Sequence, residues 1–449
     1  MNSKTFRLAP RAVDVDQALA LHRAGRLDDA RRLYERILDT NPRNASVWHF
    51  LGVLQHQIGN SDVAVENITR ALDLDPRYAD AWNNLGNVHR ETNHYDAALQ
   101  AYQRAVEIVP RHADAWNNIG VMRSGRGEYD EAQRAYACAV EHDPAHVAAW
   151  QNRGSLSARV EDFDASIAAY RRAIELRPGD AIAFNGLSRC LYRAGKIDQA
   201  VEVYNEWLAV DPENAVARHM LAACTGAPAP ERASDEFVRD TFDAFAGSFD
   251  RVLDQLGYRA PALIGEFLDR EVPASDVQLV IADAGCGTGL CAEFLRRRAT
   301  RLVGVDLSAG MLTKARTRKV YDELVESELA AWLAGRREEF DLIVSADTLC
   351  YFGALDQALA GAARALRPGG RVVFTVERAA DDTPGYHLDS TGRYSHQESY
   401  VRQVLARAAL ESIAIEHVVL RLERGHEVHG LLASARRPRS LYNGGNFSG

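Results

Sequence analysis

Small and apolar residues return in the first half of the chain with a period of 34, marked by Pro42, Pro76, Pro110, Pro144, Pro178 and Pro212. With each proline counted as position 32, six units begin at Arg11, Ala45, Ala79, Ala113, Val147 and Ala181. Position 4 holds Trp48, Trp82, Trp116, Trp150 and Phe184, and position 8 holds Gly52, Gly86, Gly120 and Gly154. Position 20 is Ala30, Ala64, Ala98, Ala132 and Ala200, and position 24 is Tyr34, Tyr102, Tyr136, Tyr170 and Tyr204. Each unit is expected to form two antiparallel helices: small residues at 8 and 20 let them approach, aromatics at 4 and 24 fill the gap, and the proline ends the second helix. The first unit has Asp14 at position 4, a polar change expected of a cap.

This pattern resembles the tetratricopeptide repeat family, which implies an all-α superhelical solenoid over residues 11–224 with a concave groove. Position 6 of three successive units is Asn84, Asn118 and Asn152, a ladder whose amides could pair with the backbone of an extended peptide. The alternative is that these side chains bridge neighbouring helices. Six repeats alone suggest binding of a protein or peptide, not chemistry.

Past Ala223 the stretch CTGAPAPERASDE breaks the period, and residues 225–236 read as a linker. From Phe237 to Arg436 two helical segments, Phe237 to Gly247 and Arg259 to Leu268, precede an alternation of short apolar strands and amphipathic helices, until two final strands follow one another directly. Alternation predicts an α/β, doubly wound, mostly parallel sheet with an antiparallel edge strand, and ligands outside the carboxyl ends of its strands. There lies Asp283-Ala284-Gly285-Cys286-Gly287-Thr288-Gly289, running from a strand directly into a helix. A lone glycine loop is a weak signal, and Gly287 to Ala292 even satisfies the dinucleotide pattern GxGxxA. Asp283 ahead of the glycines, Asp306 closing the second strand in GVDLSAGML, and LRPGG before the fifth strand decide the matter.

Together these features resemble the class I S-adenosylmethionine-dependent methyltransferases, with a Rossmann-like fold. Longer stretches such as FDAFAGSFDRVLDQLGYRAPALI and FDLIVSADTLCYFG resemble a family of methyltransferases that carry N-terminal tetratricopeptide repeats. The resemblance implies S-adenosyl-L-methionine as cofactor and S-adenosyl-L-homocysteine as product. Gly285, Gly287 and Gly289, with Cys286 and Thr288 between them, would contact its methionine part, with Asp283 oriented toward the ammonium. Asp306 would take the ribose hydroxyls, and Leu307 and Met311 would pack on the adenine. Glu328 stands where the family places an Asp for the adenine amine, with Leu329 beside it; its other reading is an acid favoured at a helix N-terminus. Phe245, Phe249, Tyr258 and Arg259 would form a lid, with Arg259 a candidate for the cofactor carboxylate.

Charge and composition narrow the rest. A formal net charge of -9 argues against a phosphate-tracking nucleic-acid binder. No apolar run approaches the roughly 18 residues of a membrane span, and the opening segment lacks a signal-peptide core, so a cytoplasmic protein is expected. The six cysteines lack metal or disulfide spacing, and no metal is expected. After the fourth strand stands SADTLCYFG rather than an N/D-P-P-Y motif, which disfavours exocyclic-amine methylation. Polar residues near strand ends that could face a substrate are Asp347, Tyr351, Glu377, His387, Arg393, Tyr394, His396 and Tyr400. Of these, Asp347, Tyr351, Tyr394 and His396 are the candidate catalytic residues, the last two as groups that orient or deprotonate an acceptor. Against His396, Ser395 with Glu398 reads as a capping box opening the next helix. The favoured function is a methyltransferase whose repeats recruit a protein or peptide partner. The alternatives are a small-molecule methyltransferase using the repeats for docking or homo-oligomer formation, and a scaffold with a decayed enzyme domain. Residues 437–449 read as a disordered tail.

Overall fold

The computed structural model describes residues 15–226, 229–272, 278–380, 385–423 and 425–439. Arg11 to Asp14 and the chain beyond Arg439, and with them the expected cap residue and most of the expected tail, lie outside the described residues. The chain divides into two compact units between Val203 and Tyr204.

In the first unit each full period forms a helix of 13 residues followed by one of 14, as in Ala79–Glu91 and Tyr95–Ile108 or Ala113–Gly125 and Tyr129–His142. The second helix of a period ends two residues before its proline, as Leu27–Thr40 does before Pro42. Position 8 is glycine because the position-24 ring of the same unit lies against it. A methyl group on Gly86 would come within 2.5 Å of the Tyr102 ring, and one on Gly120 within 2.5 Å of Tyr136. The position-4 tryptophans do more than fill a gap. Each donates its indole N–H to the proline carbonyl six residues earlier, at 2.9 Å from Trp48 to Pro42 and 3.0 Å from Trp82 to Pro76, which locks the turn between units. Position 34 caps the next helix: Asn44, His112, His146 and Asp180 each accept the backbone N–H three residues on.

The described residues of the second unit form nine strands: β1 (Leu279–Ala284), β2 (Ala299–Asp306), β3 (Glu323–Glu326), β4 (Phe340–Ser345), β5 (Leu366–Arg378), β6 (Tyr386–Leu388), β7 (Tyr394–His396), β8 (Glu411–Glu423) and β9 (His426–Arg436). β3, β2, β1, β4 and β5 run parallel in that order, and β9 pairs antiparallel with both β5 and β8. Alternate residues of these strands feed two cores. Ala282, Val303, Ile343 and Phe374 pack on one face, and Ile281, Leu302, Leu342 and Val373 on the other. Burial on both faces explains why the strands read as continuous apolar runs. The expected antiparallel edge is therefore present.

Three local expectations change. The segment before β1 holds Asp235–Phe245, Phe249–Gln255 and Ala260–Glu271, so a third short helix separates the two expected. Ser395 does not cap a helix. It is paired in β7 with His387 and Glu377, the following helix starts at Glu398 with Gln397 at its cap, and Glu398 bonds Arg402 and His417 instead. The ladder offers Ser395 two strand partners, and that outweighs one cap. Finally, the helix Ala215–Thr225, which continues the 34-residue period, clusters with the second unit. Its buried His219 bonds the Gly392 carbonyl at 2.9 Å through Nε2 and lies 4.0 Å from the Phe237 ring.

Candidate active site

At the carboxyl end of β1 the backbone turns sharply, and the N–H groups of Gly285 and Cys286 both bond the Val305 carbonyl of β2. Gly285, Gly287 and Gly289 all have positive φ, at 78°, 53° and 90°, a region that side chains resist. Their surroundings differ. A Cβ on Gly285 would fall 2.1 Å from the Thr348 hydroxyl and one on Gly289 3.0 Å from Tyr321, so these two glycines are required by the protein itself. At Gly287 only the Phe249 ring, among the described residues, comes as near as 4.0 Å. The loop is thus closed at its ends and open at its centre. Cys286 and Thr288 are buried.

Asp306 lies across this opening. Its carboxylate accepts the Gly287 N–H at 2.8 Å and the Ser308 N–H at 2.9 Å, and burial raises its pKa. Each oxygen keeps a further acceptor direction. Asp283, at the end of β1, is buried and accepts the Tyr321 hydroxyl at 2.6 Å. Burial pushes its pKa up to about 7. Met311 is buried and Leu307 half-buried beside Asp306, while Glu328 caps the helix Leu329–Ala334, accepting the N–H groups of Ala330 and Ala331 at 2.9 and 2.6 Å. Glu328 thus takes the helix-capping arrangement, and Leu329 is buried at the first position of that helix.

The segment upstream of β1 closes over the loop. Phe245 and Phe249 meet edge to face with centroids 5.4 Å apart, and Phe242 stands 5.3 Å from Tyr351. Two carboxylates latch it. Asp243 accepts the Ser308 hydroxyl at 2.5 Å and the Gly310 N–H at 3.0 Å; Asp250 accepts the Thr288 hydroxyl at 2.5 Å and Arg318 Nη2 at 2.7 Å. Arg259, at the start of Ala260–Glu271, has an exposed side chain 3.5 Å from Glu266, and its backbone N–H bonds the Leu420 carbonyl. Tyr258 beside it has its phenol pKa raised by burial and then by the Asp347 carboxylate.

The four catalytic candidates separate into two pairs. Asp347 and Tyr351 belong to a charged cluster at the carboxyl ends of β4 and β5. Arg393 donates Nη2 to Asp347 at 2.5 Å, Nη1 to the Tyr351 hydroxyl at 3.1 Å, and Nε to Glu377. Arg421 donates Nη2 to Glu377 at 2.7 Å and Nε to Glu423 at 2.7 Å. Tyr394 and His396 are fully buried. The Tyr394 hydroxyl donates to the Pro230 carbonyl at 2.7 Å, and His396 Nε2 lies 3.1 Å from the Gly353 carbonyl. Burial lowers the His396 pKa to about 4, so near neutrality the ring is uncharged and holds the loop before the helix Asp356–Ala365. Glu377 and Arg393, which the sequence marks only as polar residues able to face a substrate, are drawn into the site, while Tyr321, Asp243, Asp250 and Arg421 are the residues of the site that pattern reading passes over.

In the repeat unit the asparagine ladder bridges successive units. Asn118 Nδ2 donates to Asn83 at 3.0 Å and Asn87 at 3.2 Å, Asn152 to Asn117 at 2.9 Å, and Asn84 to His49 at 2.7 Å. All three remain partly exposed. Cys138, Cys190, Cys224, Cys286, Cys291 and Cys350 are free thiols. Among the described residues no group of three or more His, Cys, Asp or Glu side chains is arranged to hold a metal, and no helix is long and apolar enough to cross a membrane.

Two family models match the chain: a methyltransferase domain over residues 282–374, and the cilia and flagella-associated protein 70 C-terminal domain over residues 7–248. The second spans more than half of the 449 residues. A malonyl-[acyl-carrier protein] O-methyltransferase of Enterobacter lignolyticus is 33% identical over 132 residues, which is 29% of this chain and 51% of that protein. A trans-aconitate 2-methyltransferase of Paracidovorax citrulli is 37% identical over 101 residues, 22% of this chain and 38% of that protein. The chain spans about half the length of the curated relatives it matches, or less. Among solved structures, MamA is 27% identical with a TM-score of 0.32, over 37% of this chain and 91% of that one. YrrB, described as a TPR protein with an unusual peptide-binding site, is 20% identical with a TM-score of 0.35, over 41% of this chain and 96% of that one.

Proposed function

The chain belongs to the class I methyltransferases that carry N-terminal tetratricopeptide repeats, its repeat half matching the cilia and flagella-associated protein 70 C-terminal domain family, and on this footing we propose that it transfers a methyl group from S-adenosyl-L-methionine to an acceptor on a protein or peptide partner captured by its repeats.

The single observation that carries the donor assignment is the open centre of the loop. Gly287 leaves room for a ligand to reach the backbone, and the Asp306 carboxylate stands at its rim, fixed by two N–H groups. A ribose diol fits that carboxylate, whose remaining lone pairs can accept both hydroxyls. Leu307 and Met311 offer an apolar wall for adenine, and the buried acid Asp283 a counter-charge for the amino-acid end. The residues present therefore fit the group. When bound it supplies an activated methyl on a sulfonium, so the protein's contribution is alignment and exclusion of water. Phe245 and Phe249 serve the second task, and the Asp243 and Asp250 latches hold them down. Free thiols in every cysteine favour a reducing, cytoplasmic setting for this reading.

Calorimetric titration of the full chain with S-adenosylmethionine and S-adenosylhomocysteine tests the donor. Micromolar dissociation constants are expected for both; a folded protein that binds neither refutes the proposal. A pull-down in the presence of S-adenosylhomocysteine then tests the repeats, and a partner that becomes labelled by tritiated S-adenosylmethionine is the expected result.

A further inference from the structure

Beside the glycine loop lies a second polar site, the cluster of Asp347, Tyr351, Glu377, Arg393 and Arg421. It adjoins the loop directly, since Thr348 donates its hydroxyl to the Gly285 carbonyl at 3.2 Å. Burying two guanidinium groups is costly, and apolar residues of similar volume would stabilise the fold at least as well. Yet Arg421 is only 4% and Arg393 17% exposed. Asp347 is moreover held at a φ of 56°, a conformation few side chains adopt, with its N–H on Thr375 Oγ1 at 2.9 Å.

We propose that this cluster is the acceptor site and that it takes a carboxylate, so that the enzyme forms methyl esters. This rests on the donor assignment above. Each guanidinium has five N–H donors. Arg393 spends them on three acceptors and Arg421 on two, and Nη1 of Arg421 is buried with no hydrogen-bond acceptor among the described residues, 3.7 Å from Asp347 Oδ2. Five N–H donors are left once Asp347, Tyr351, Glu377 and Glu423 are served, and a further anion of planar, two-oxygen shape matches a guanidinium fork. Tyr258 joins them from the lid. The backbone bonds of Arg259 N–H to Leu420 and of Leu422 N–H to Leu256 clasp its segment onto β8 on both sides of Arg421. The Tyr258 and Tyr351 phenols are both raised, chiefly by burial, so they stay protonated and donate.

The chemistry agrees. A carboxylate oxygen attacks the methyl carbon, one C–O bond forms, the C–S bond breaks, and its electron pair stays on sulfur. An anion and a sulfonium become a neutral ester and a neutral thioether, and no proton has to leave. An amine or hydroxyl acceptor would need a base. Here His396 is buried, with a pKa lowered to about 4, and Glu377 is a weakened base because Arg393 and Arg421 outweigh its burial and lower its pKa.

The full chain, with and without S-adenosylhomocysteine, should be titrated with malonate and with malonamide, its uncharged match, at constant ionic strength. Malonate should bind at least tenfold more tightly than malonamide, and Arg393→Gln should remove most of that preference. Equal binding of the two probes, or binding of neither, overturns the carboxylate site, and this comparison needs only the wild-type protein should the variant fail to fold. Malonate preference in a protein that does not bind S-adenosylhomocysteine overturns ester formation through the donor reading and leaves the anion site standing. Nucleoside binding without malonate preference overturns the acceptor site alone.

Discussion

Asp250 accepts a hydrogen bond from the Thr288 hydroxyl at 2.5 Å, across 38 residues of sequence, and so ties the helix Phe249–Gln255 to the centre of the glycine loop. Arg318 completes the tie, donating Nη2 to the same carboxylate and Nε to the Thr288 carbonyl at 2.7 Å each. Asp243 makes the matching contact on the other side of the opening, to Ser308 and Gly310. Loop and cover are therefore held together by charge-assisted bonds at two points, neither of which contributes to the sheet core.

Loosening both points should act on ligand residence more than on folding. Hydrogen bonds to a charged group are worth about 1.5–3 kcal/mol where they form, and part of that is recovered by water once the cover opens. Asp243→Ala with Asp250→Ala is expected to weaken S-adenosylhomocysteine binding by about tenfold, roughly 1.4 kcal/mol, mostly through faster dissociation. Stopped-flow release measured beside calorimetry checks this; a tenfold fall in association rate with unchanged release would place the latches elsewhere in the binding step.

Asp306 presents the simplest test of the nucleoside assignment. In Asp306→Asn one amide oxygen can still accept one of the Gly287 and Ser308 N–H groups, while the amide nitrogen faces the other. Affinity for S-adenosylmethionine should drop by about 10- to 100-fold, or roughly 1.4–2.8 kcal/mol, with the circular dichroism spectrum unchanged. Wild-type affinity in this variant would remove Asp306 from the ribose site.

Asp283 predicts a pH dependence of known sign. Its native pKa is raised from 3.8 to about 7, chiefly by burial, with the Tyr321 bond opposing. The native state then binds more protons than the unfolded state between those values, so the contribution is fully present below about pH 4 and lost as the pH passes 7. Glu377, whose pKa is lowered, contributes in the opposite direction at lower pH, so the wild-type profile alone is not diagnostic. The difference between wild type and Asp283→Asn in urea midpoint should favour the wild type at pH 5 and shrink or reverse at pH 8. A difference that does not vary with pH would mean that Asp283 is ionised throughout.

Sequence pattern reached the two architectures because both repeat their instruction. The proline, glycine and tyrosine of one repeat recur in the next, and both faces of the central parallel strands β1, β2, β4 and β5 are buried, so these strands carry runs of apolar residues. The glycine loop was legible for a related reason, since three positive-φ positions within five residues demand glycine. Arg421 was not, nor was its partnership with Arg393, which in the sequence is one of several polar residues near strand ends. The two arginines lie 28 residues apart, in a loop before β7 and in β8, and only the pairing of β5 with both β7 and β9 brings them to Glu377. Tyr394 and His396 drew notice as polar groups in a polar tract, but strands of three residues carry almost no periodicity, and the hairpin that buries them is set by tertiary contact.

The asparagine ladder should carry both stability and recognition. Asn118 bridges to Asn83 and Asn87, the second of which also accepts the Tyr102 hydroxyl at 2.8 Å. Asn118→Ala leaves two acceptors, on the buried Asn83 and the half-buried Asn87, with fewer donors and is expected to cost about 1–2 kcal/mol, read as a lower unfolding midpoint of the repeat unit, with S-adenosylmethionine affinity intact. Replacing Asn84, Asn118 and Asn152 together should also weaken partner capture. Full capture at a lowered midpoint would make the ladder structural only.

Two glycines of the repeats separate sterics from helix propensity. Gly125 closes the helix Ala113–Gly125 with nothing within 4 Å of an added methyl group, so Gly125→Ala gains only propensity, about 0.5–1 kcal/mol. Gly86 lies inside Ala79–Glu91, where the same gain is available, but its methyl group would meet the Tyr102 ring at 2.5 Å. Overpacking of that kind costs about 1–3 kcal/mol, and Tyr102 cannot retreat without breaking its bond to Asn87. Gly86→Ala should therefore lower the thermal midpoint while Gly125→Ala raises it. Equal stabilisation by both substitutions would mean that the ring yields without cost, and that the glycine at position 8 is not what sets the distance between the two helices of a repeat.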